Sequence, residues 1–257
     1  MTFKIISLNL WRGGLLFDAI LPFLERENPD ILMLQEVLHS DDPATPERFR
    51  SLETLQKHLQ FLPHTSFAPA LLDNEEGHKF QSGNAVMSRF PITDNTTIPY
   101  DKPYSERTVH DAEAFAVTPR NLQHAVVMAG DTELNIFNTQ GVWDMVGEQA
   151  TERRWAMCNT IAQAAAGKQH AVLAGDLNLK PVNPTLAPIE AQLDSVFKHE
   201  LTTTFNLRHK DLDKFPGYAT AVVDLMYVSR DIRVLEHSCP DVDVSDHLPL
   251  VATLETT

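Results

Sequence analysis

The sequence predicts a mixed α/β (α+β) fold, a system of β-sheets covered by helices, and three observations carry that expectation. Short apolar runs of strand length recur along the chain, segments of helical period separate several of them, and two runs are joined as a hairpin. The hairpin joins Leu122–Met128 to Glu133–Asn138 through Ala129-Gly130-Asp131-Thr132, so antiparallel pairing is implied. A mixed sheet system therefore fits better than a strictly alternating barrel.

Taken in order, Phe3 to Leu8 reads as a buried strand. Leu16, Ala19, Ile20, Phe23 and Leu24 then recur at helical spacing until Asn28-Pro29 stops the helix. Ile31 to Leu34 is a second short strand, and Pro46 can open a helix whose inner face carries Phe49, Leu52, Leu55 and Leu59. Asn84 to Met87 is strand-like, and Tyr100 to Arg107 reads as a long exposed loop bordering a cleft. Glu148 to Ala166 repeats the helical period through Trp155, Cys158, Ala162 and Ala165, with Gly167 as C-cap and Arg153-Arg154 on a solvated face. Strands follow at Ala171 to Ala174, Leu225 to Val228 and Leu250 to Leu254.

With 257 residues, 43% of them hydrophobic and 22% charged, the chain can bury a substantial core without staples. No Gly-, Pro- or Ser-rich stretch divides it, so one domain over residues 1–257 is expected, as a monomer. Two cysteines, Cys158 and Cys239, make no disulfide framework. The N-terminal run Phe3-Lys4-Ile5-Ile6 is too short for a signal-peptide core, and nowhere do roughly eighteen apolar residues run together. No transmembrane segment and a cytoplasmic location are therefore expected. Asp plus Glu number 35 against 21 Lys plus Arg, a net charge of −14, which disfavours an extended grip on a nucleic-acid duplex. A phosphate held at one point by a bound cation is compatible with it.

Several apolar strands end on a polar group: Ile5-Ile6-Ser7-Leu8 on Asn9, Ile31 to Leu34 on Gln35-Glu36, and Ala171 to Ala174 on Gly175-Asp176-Leu177-Asn178. If these ends share one edge of packed sheets, their oxygens converge in a cleft floored by apolar side chains. Asp and Asn commonly open turns, but a carboxylate placed directly after four apolar residues and a glutamine, as Glu36 is, needs a cation or hydrogen-bond donors to offset its desolvation. Ser245-Asp246-His247 sets a carboxylate and an imidazole side by side before a strand, and Asp224, between Val223 and Leu225, can orient that imidazole. Trp11 and Trp143 read first as packing, and Arg12, Arg89, Arg107 and Arg120 as surface that can also meet phosphate. None of the eleven histidines forms a His-x-His or His-x-x-x-His run, which disfavours zinc.

In their joint order, Asn9, Gln35-Glu36-Val37, Gly83-Asn84-Ala85-Val86-Met87-Ser88-Arg89-Phe90-Pro91-Ile92, Gly175-Asp176-Leu177-Asn178, Asp224-Leu225-Met226 and Ser245-Asp246-His247 resemble the endonuclease/exonuclease/phosphatase superfamily, of DNase I-like fold. The resemblance spans nearly the whole chain and implies a four-layer sandwich, two packed mixed sheets flanked by helices. It implies Glu36 as the principal metal ligand, with Asn9 and Asp246 supporting it and Mg²⁺, or Mn²⁺, as the ion. Asp176 and Asn178 would serve the attacking water and the phosphoryl oxygens, and His247 would pair with Asp224. Asp176 is the favoured general base and the Asp224–His247 pair the rival one.

One departure stands out. Where many members of that family carry His in an Asn-x-His motif, this chain has Asn138-Thr139-Gln140, and Gln140 can donate a hydrogen bond to phosphate but cannot become cationic. That leaves a second reading, a phosphoryl-ligand-binding module of the same fold, beside the expected phosphoesterase and its nuclease variant. The substrates expected are a phosphorylated small molecule, a lipid head group or a nucleic-acid end. Loops at Asp73–Gln81, Tyr100–His110 and Gly141–Gly147 are expected to choose among them.

Overall fold

A computed structural model describes residues 1–109, 113, 116–143 and 149–257. Among the described residues, thirteen strands lie in two sheets. The first sheet contains β1 (Thr2–Asn9), β2 (Ile31–His39), β3 (His64–Glu75), β4 (His78–Ser88), β6 (Ser105–Glu106), β12 (Ile232–Ser238) and β13 (Leu250–Thr256), in the order β12-β13-β1-β2-β4-β3-β6. The second contains β5 (Ile92–Pro99), β7 (Asn121–Ala129), β8 (Thr132–Gln140), β9 (Ala171–Asp176), β10 (Asp194–Ser195) and β11 (Asp224–Val228), in the order β10-β11-β9-β8-β7-β5. Both are mixed. β1 runs parallel to β2 and β8 parallel to β9, while β2–β4, β7–β8 and β9–β11 are antiparallel.

Strand alternation explains the layers. Along β1, Phe3 and Ile5 face the second sheet, where they join Ile31, Met33, Ile136, Val172 and Met226 in the central core. Ile6 and Leu8 face the other way and pack under Ile20, Phe23 and Leu24 of a helix at Phe17–Glu27 and Leu52 and Leu55 of a helix at Ser51–His58. Across the second sheet, Phe137, Leu173 and Tyr227 meet Met157, Cys158 and Ile161 of a helix at Glu152–Ala165. Strands buried on both faces explain why β1, β2 and β9 read as unbroken apolar runs. The result is helix, sheet, sheet, helix, as the resemblance implies.

The structure also amends several expectations. Asp73–Gln81 is not a loop: it is the end of the β3–β4 hairpin, turning at Glu76-Gly77 with Glu75 paired to His78. The stretch Tyr100–Arg107 contains β6, paired parallel to β3. Within Glu152–Ala165, which Thr151 caps through its side chain, Trp155 lies at the surface and Arg154 is buried, the reverse of the sequence expectation. Arg154 is held by the carbonyls of Gln149 and Asn178, which satisfy a cation that helical periodicity alone assigns to solvent. The predicted start of that helix at Glu148 and parts of the Tyr100–His110 and Gly141–Gly147 loops lie outside the described residues.

Near the site the two sheets are joined by amides rather than by apolar contact alone. Gln35 of β2 donates to Asn138 Oδ1 of β8 at 2.7 Å, and Asn138 Nδ2 donates to the Leu34 and Ala85 carbonyls at 3.0 and 2.9 Å. Asn84 of β4 donates to Asn121 Oδ1 at the start of β7 at 2.9 Å. Gly175 of β9 sits against the Thr139 carbonyl of β8, where a Cβ would lie 1.9 Å from that oxygen, so only glycine lets these parallel strands close beside Asp176.

Candidate active site

The parallel pairs β1/β2 and β8/β9 bring four strand C-termini to one end of the sandwich, and β11 begins there because it runs antiparallel to β9, with Asp224 opposite Asp176. Asn9, Glu36, Gln140, Asp176 and Asp224 are thereby delivered to one place. A register shift between Leu34 and Val37 opens a bulge in β2 that turns Glu36 out of the ladder, and Glu36 takes a left-handed φ of 58°. Asn178, just past β9, is left-handed as well at φ 54°. Non-glycine residues in this region are held there by their surroundings, and here both carry polar side chains into the site.

A continuous hydrogen-bonded chain links the two sheets. Asn9 Nδ2 donates to Glu36 Oε1 and to Asp176 Oδ2, each at 3.1 Å. Glu36 Oε1 also accepts from Gln140 Nε2 at 2.8 Å, and Oε2 accepts the Arg12 backbone N–H at 2.6 Å. Asp176 Oδ1 accepts the Asn178 backbone N–H at 3.1 Å, and Asn178 Nδ2 donates to the Gly141 carbonyl at 3.2 Å. His247 Nδ1 lies 2.8 Å from Asp224 Oδ2, both residues being buried. Ser245 Oγ donates to the Asn9 carbonyl at 2.6 Å and so ties the segment before β13 to the end of β1.

Electrostatics separate the titratable groups. Burial alone would raise the Glu36 pKa, but the Arg12 N–H, the Asn9 amide and the charges of His247 and Arg120 outweigh it, and the carboxyl falls below its ordinary value. Burial raises Asp176 to about 6, with His247 opposing and the charges of Asp224 and Glu36 adding to the rise. For His247, burial would lower the pKa, yet the charge and hydrogen bond of Asp224, then Asp176 and Asp246, lift it to about 10. The imidazole is accordingly cationic at neutral pH, its Nδ1–H held by Asp224 and its Nε2–H the remaining donor.

These shifts fix the pH dependence of stability in metal-free protein. His247, raised from 6.5, contributes stability that is complete below pH 6.5 and lost as pH rises through about 10. Asp176, raised from 3.8, carries a charge penalty that is relieved as pH falls through about 6. Both act in one direction, so thermal unfolding in EDTA is expected at a higher temperature at pH 6 than at pH 9. The difference should shrink in His247→Asn. An equal dependence in that variant would remove His247 as the cause.

Every residue expected in the site reaches this end of the molecule, but two of them have partners different from those expected. Gln140 turns its amide to Glu36, and its Oε1 accepts a hydrogen bond from Arg120. Asp246 is engaged through Oδ2 by Lys210 Nζ at 2.6 Å. Trp11 packs against the His209 ring at a centroid distance of 4.9 Å, in keeping with the packing role expected of it. Asp176, Asp224 and His247 form a buried group whose ligand atoms lie within 4.8 Å of one another and could hold a metal ion. Sequence reasoning missed Lys210 as part of the site and read Arg120 first as surface, whereas it is buried. Arg120 immediately precedes β7, and only the β7–β8 register, with Leu122 opposite Thr139, shows that it stands beside Gln140. Lys210 comes from a segment with no periodicity to read.

The chain matches the Endonuclease/Exonuclease/phosphatase family over residues 6–247, and it belongs to that family. No curated protein matches the sequence. Solved structures do. An endonuclease/exonuclease/phosphatase from Beutenbergia cavernae is 20% identical with a TM-score of 0.77, covering 99% of this chain and 72% of its own. A mannosyl-6-phosphatase from Bacteroides thetaiotaomicron is 18% identical with a TM-score of 0.67, covering 98% and 99%. TDP2 from D. rerio, complexed with a single-strand DNA product, is 16% identical with a TM-score of 0.67, covering 99% of each chain. At these identities the likeness is one of fold, and the DNase I-like architecture expected from the sequence is present. Among the described residues no helix is long and apolar enough to cross a membrane.

Proposed function

We propose that this chain is a divalent-metal-dependent hydrolase that cleaves a phosphodiester or phosphomonoester by attack of water, with Mg²⁺, or Mn²⁺, as cofactor. The observation that supports this most is the chain Gln140–Glu36–Asn9–Asp176, which joins both sheets beside the Asp224–His247 pair. The donor set suits a hard cation: Glu36, Asn9 and Asp246 would offer side-chain oxygens without sulfur or imidazole, Asn9 Oδ1 also accepting the Trp11 N–H at 3.0 Å and Asp246 Oδ1 being the oxygen that Lys210 leaves. The buried group of Asp176, Asp224 and His247 is less suited to the ion, because the imidazole proton is already committed to Asp224. When bound, the cation neutralises phosphoryl oxygens and the charge that grows on them during attack.

The residues divide the remaining work. Asp176, with a pKa near the working range, accepts the proton of the attacking water, and Asn9 and the Asn178 N–H fix its oxygens. His247, kept cationic by Asp224, offers Nε2–H to a phosphoryl oxygen, and Asn178 supports the same face. Gln140 holds Glu36 in place, and the Arg120 guanidinium behind it supplies the positive charge that a histidine at residue 140 would carry. This charge supports the hydrolase over the reading as a binding module, whose motive was the missing charge at Gln140.

A screen of purified protein across small phosphodiesters, phosphomonoesters, phospholipid head groups and DNA ends, with Mg²⁺ or Mn²⁺, tests the assignment. A net charge of −14 should keep the binding of extended duplex weak. Turnover of small substrates should therefore vary little across a salt series at fixed Mg²⁺, because few counterions are released. Efficient internal nicking of plasmid DNA with a steep salt slope would reverse this substrate reading.

A further inference from the structure

Beside Glu36 opens a cavity of about 380 Å³, and the chemistry just described leaves Arg12, Arg48 and Arg107 of its lining without a role. Four guanidinium groups line it, from four separate segments: Arg12 after β1, Arg48 after β2, Arg107 after β6 and Arg120 before β7. Glu36, Asp73 and Glu75 share the lining, so the four guanidiniums exceed the three carboxylates by one, in a chain where acidic residues outnumber basic ones 35 to 21. Phe49 and Phe80, stacked at 4.5 Å, give the cavity an apolar wall, and the Arg48 guanidinium lies 4.2 Å over the Phe49 ring.

We propose that this cavity is a recognition subsite for a second anionic group, phosphate or carboxylate, carried by a small substrate whose first phosphoryl group is the one hydrolysed. The inference rests on the proposed hydrolase reading for the position of the first group. Glu36, Gln140 and Arg120 line the cavity and also belong to the catalytic network, so one small molecule reaches both. The guanidiniums are graded. Arg120 is buried at the junction, Arg107 is bound to the buried Asp73, and Arg12 and Arg48 stand at the rim with 61% and 48% of their side chains exposed.

The rim pair carries the argument. Arg12 Nη2 lies 2.6 Å from Glu75 Oε2, and Arg48 Nη2 lies 2.7 Å from Glu76 Oε2 and 3.7 Å from Glu75 Oε1. Exposed ion pairs of this kind are worth little, so an incoming anion exchanges for them at small cost. Until then, the glutamates hold two guanidinium forks in the lining of one cavity, and such forks suit the planar, bidentate capture of phosphate or carboxylate. The cavity volume suits a small molecule and not a polymer segment. The aromatic wall accepts the carbon skeleton between the two anionic groups.

The probes are alkanediol bisphosphates of increasing chain length, the matching phosphoryl carboxylates, and n-alkyl phosphates that lack the second anion. Two readouts are taken on wild type, Arg48→Gln and Arg107→Gln: calorimetric binding in EDTA, and kcat/KM with Mg²⁺. Wild type should prefer a bisphosphate of one optimal length over the alkyl phosphate by about tenfold or more, and each variant should erase most of that preference. The carboxylate series shows which anion the subsite prefers. The probes are also offered as methyl phosphodiesters, and preferential binding that the variants abolish, without turnover of any monoester or diester probe, would keep the subsite and refute the hydrolase reading. Turnover or binding with equal preference for probes bearing one and two anionic groups, or a preference unchanged in both variants, would overturn the subsite while leaving the hydrolase reading intact.

Discussion

Glu36→Gln is expected to lose metal-supported turnover by on the order of 10²- to 10³-fold while the protein remains folded. The substitution keeps the length and shape of the side chain and removes the formal charge of the proposed principal metal ligand. The introduced amide can still accept from Asn9 and Gln140 through its one carbonyl oxygen, as Glu36 Oε1 does. Its nitrogen then faces the Arg12 N–H, a donor against a donor, which costs about 1 kcal/mol of hydrogen bonding and leaves the core untouched. The measurement is kcat against Mg²⁺ concentration beside a thermal melt. Full activity at ordinary Mg²⁺ would withdraw the metal from Glu36.

Asp176→Asn is expected to separate activity from stability. Burial and the neighbouring charges of Asp224 and Glu36 make the Asp176 carboxylate costly in metal-free protein, as its rise to about 6 records. Asparagine removes that charge, so the variant should unfold at the same or a higher temperature in EDTA. Turnover should nevertheless fall on the order of 10²-fold or more, since the proton acceptor for water is gone. The effect should lie in kcat and not in KM. Unchanged kcat would transfer the base role to the Asp224–His247 pair, and a fall in melting temperature would show that Asp176 serves the fold first.

Much of this architecture is legible from residue order because the strands that carry the site are also the most buried. β1, β2 and β9 announce themselves as apolar runs; β1 and β9 end on Asn9 and Asp176, and β2 is interrupted at Glu36 by a bulge before its pairing to β4 resumes at Val37. The strands at the sheet edges are less visible. β5, Ile92–Pro99, reads Thr-Asp-Asn-Thr-Thr in its middle and is held by pairing to β7, which composition does not record. β12 is likewise mostly exposed and owes its place to β13. The site followed the same division. Asn9, Glu36, Asp176, Asp224 and His247 are visible as polar interruptions of apolar sequence, whereas Arg120, Arg48 and Lys210 sit in stretches where a cation is unremarkable. The β7–β8 register brings Arg120 beside Gln140, and the fold of an irregular segment brings Lys210 to Asp246. Arg154 shows the opposite failure, since a helical wheel assigns it to water and two backbone carbonyls claim it instead.

The amide seam between the sheets has a mechanical consequence. Asn9 and Glu36 hang from one sheet, Gln140, Asp176 and Asp224 from the other, so the Gln140–Glu36 and Asn9–Asp176 hydrogen bonds span the gap between two separate plates. Apolar packing resists separation of such plates but tolerates small sliding, because greasy surfaces lose little on being displaced by a fraction of an ångström. Hydrogen bonds from Gln35 to Asn138 and from Asn84 to Asn121 are directional and do not tolerate it. They act as dowels, set one residue from Glu36 and two from Gln140, that convert a deformable joint into a fixed one. Alignment of the jaws is thereby separated from the bulk of the core, and a methylene gained or lost among Ile5, Met33 or Val172 should change melting temperature well before it changes rate.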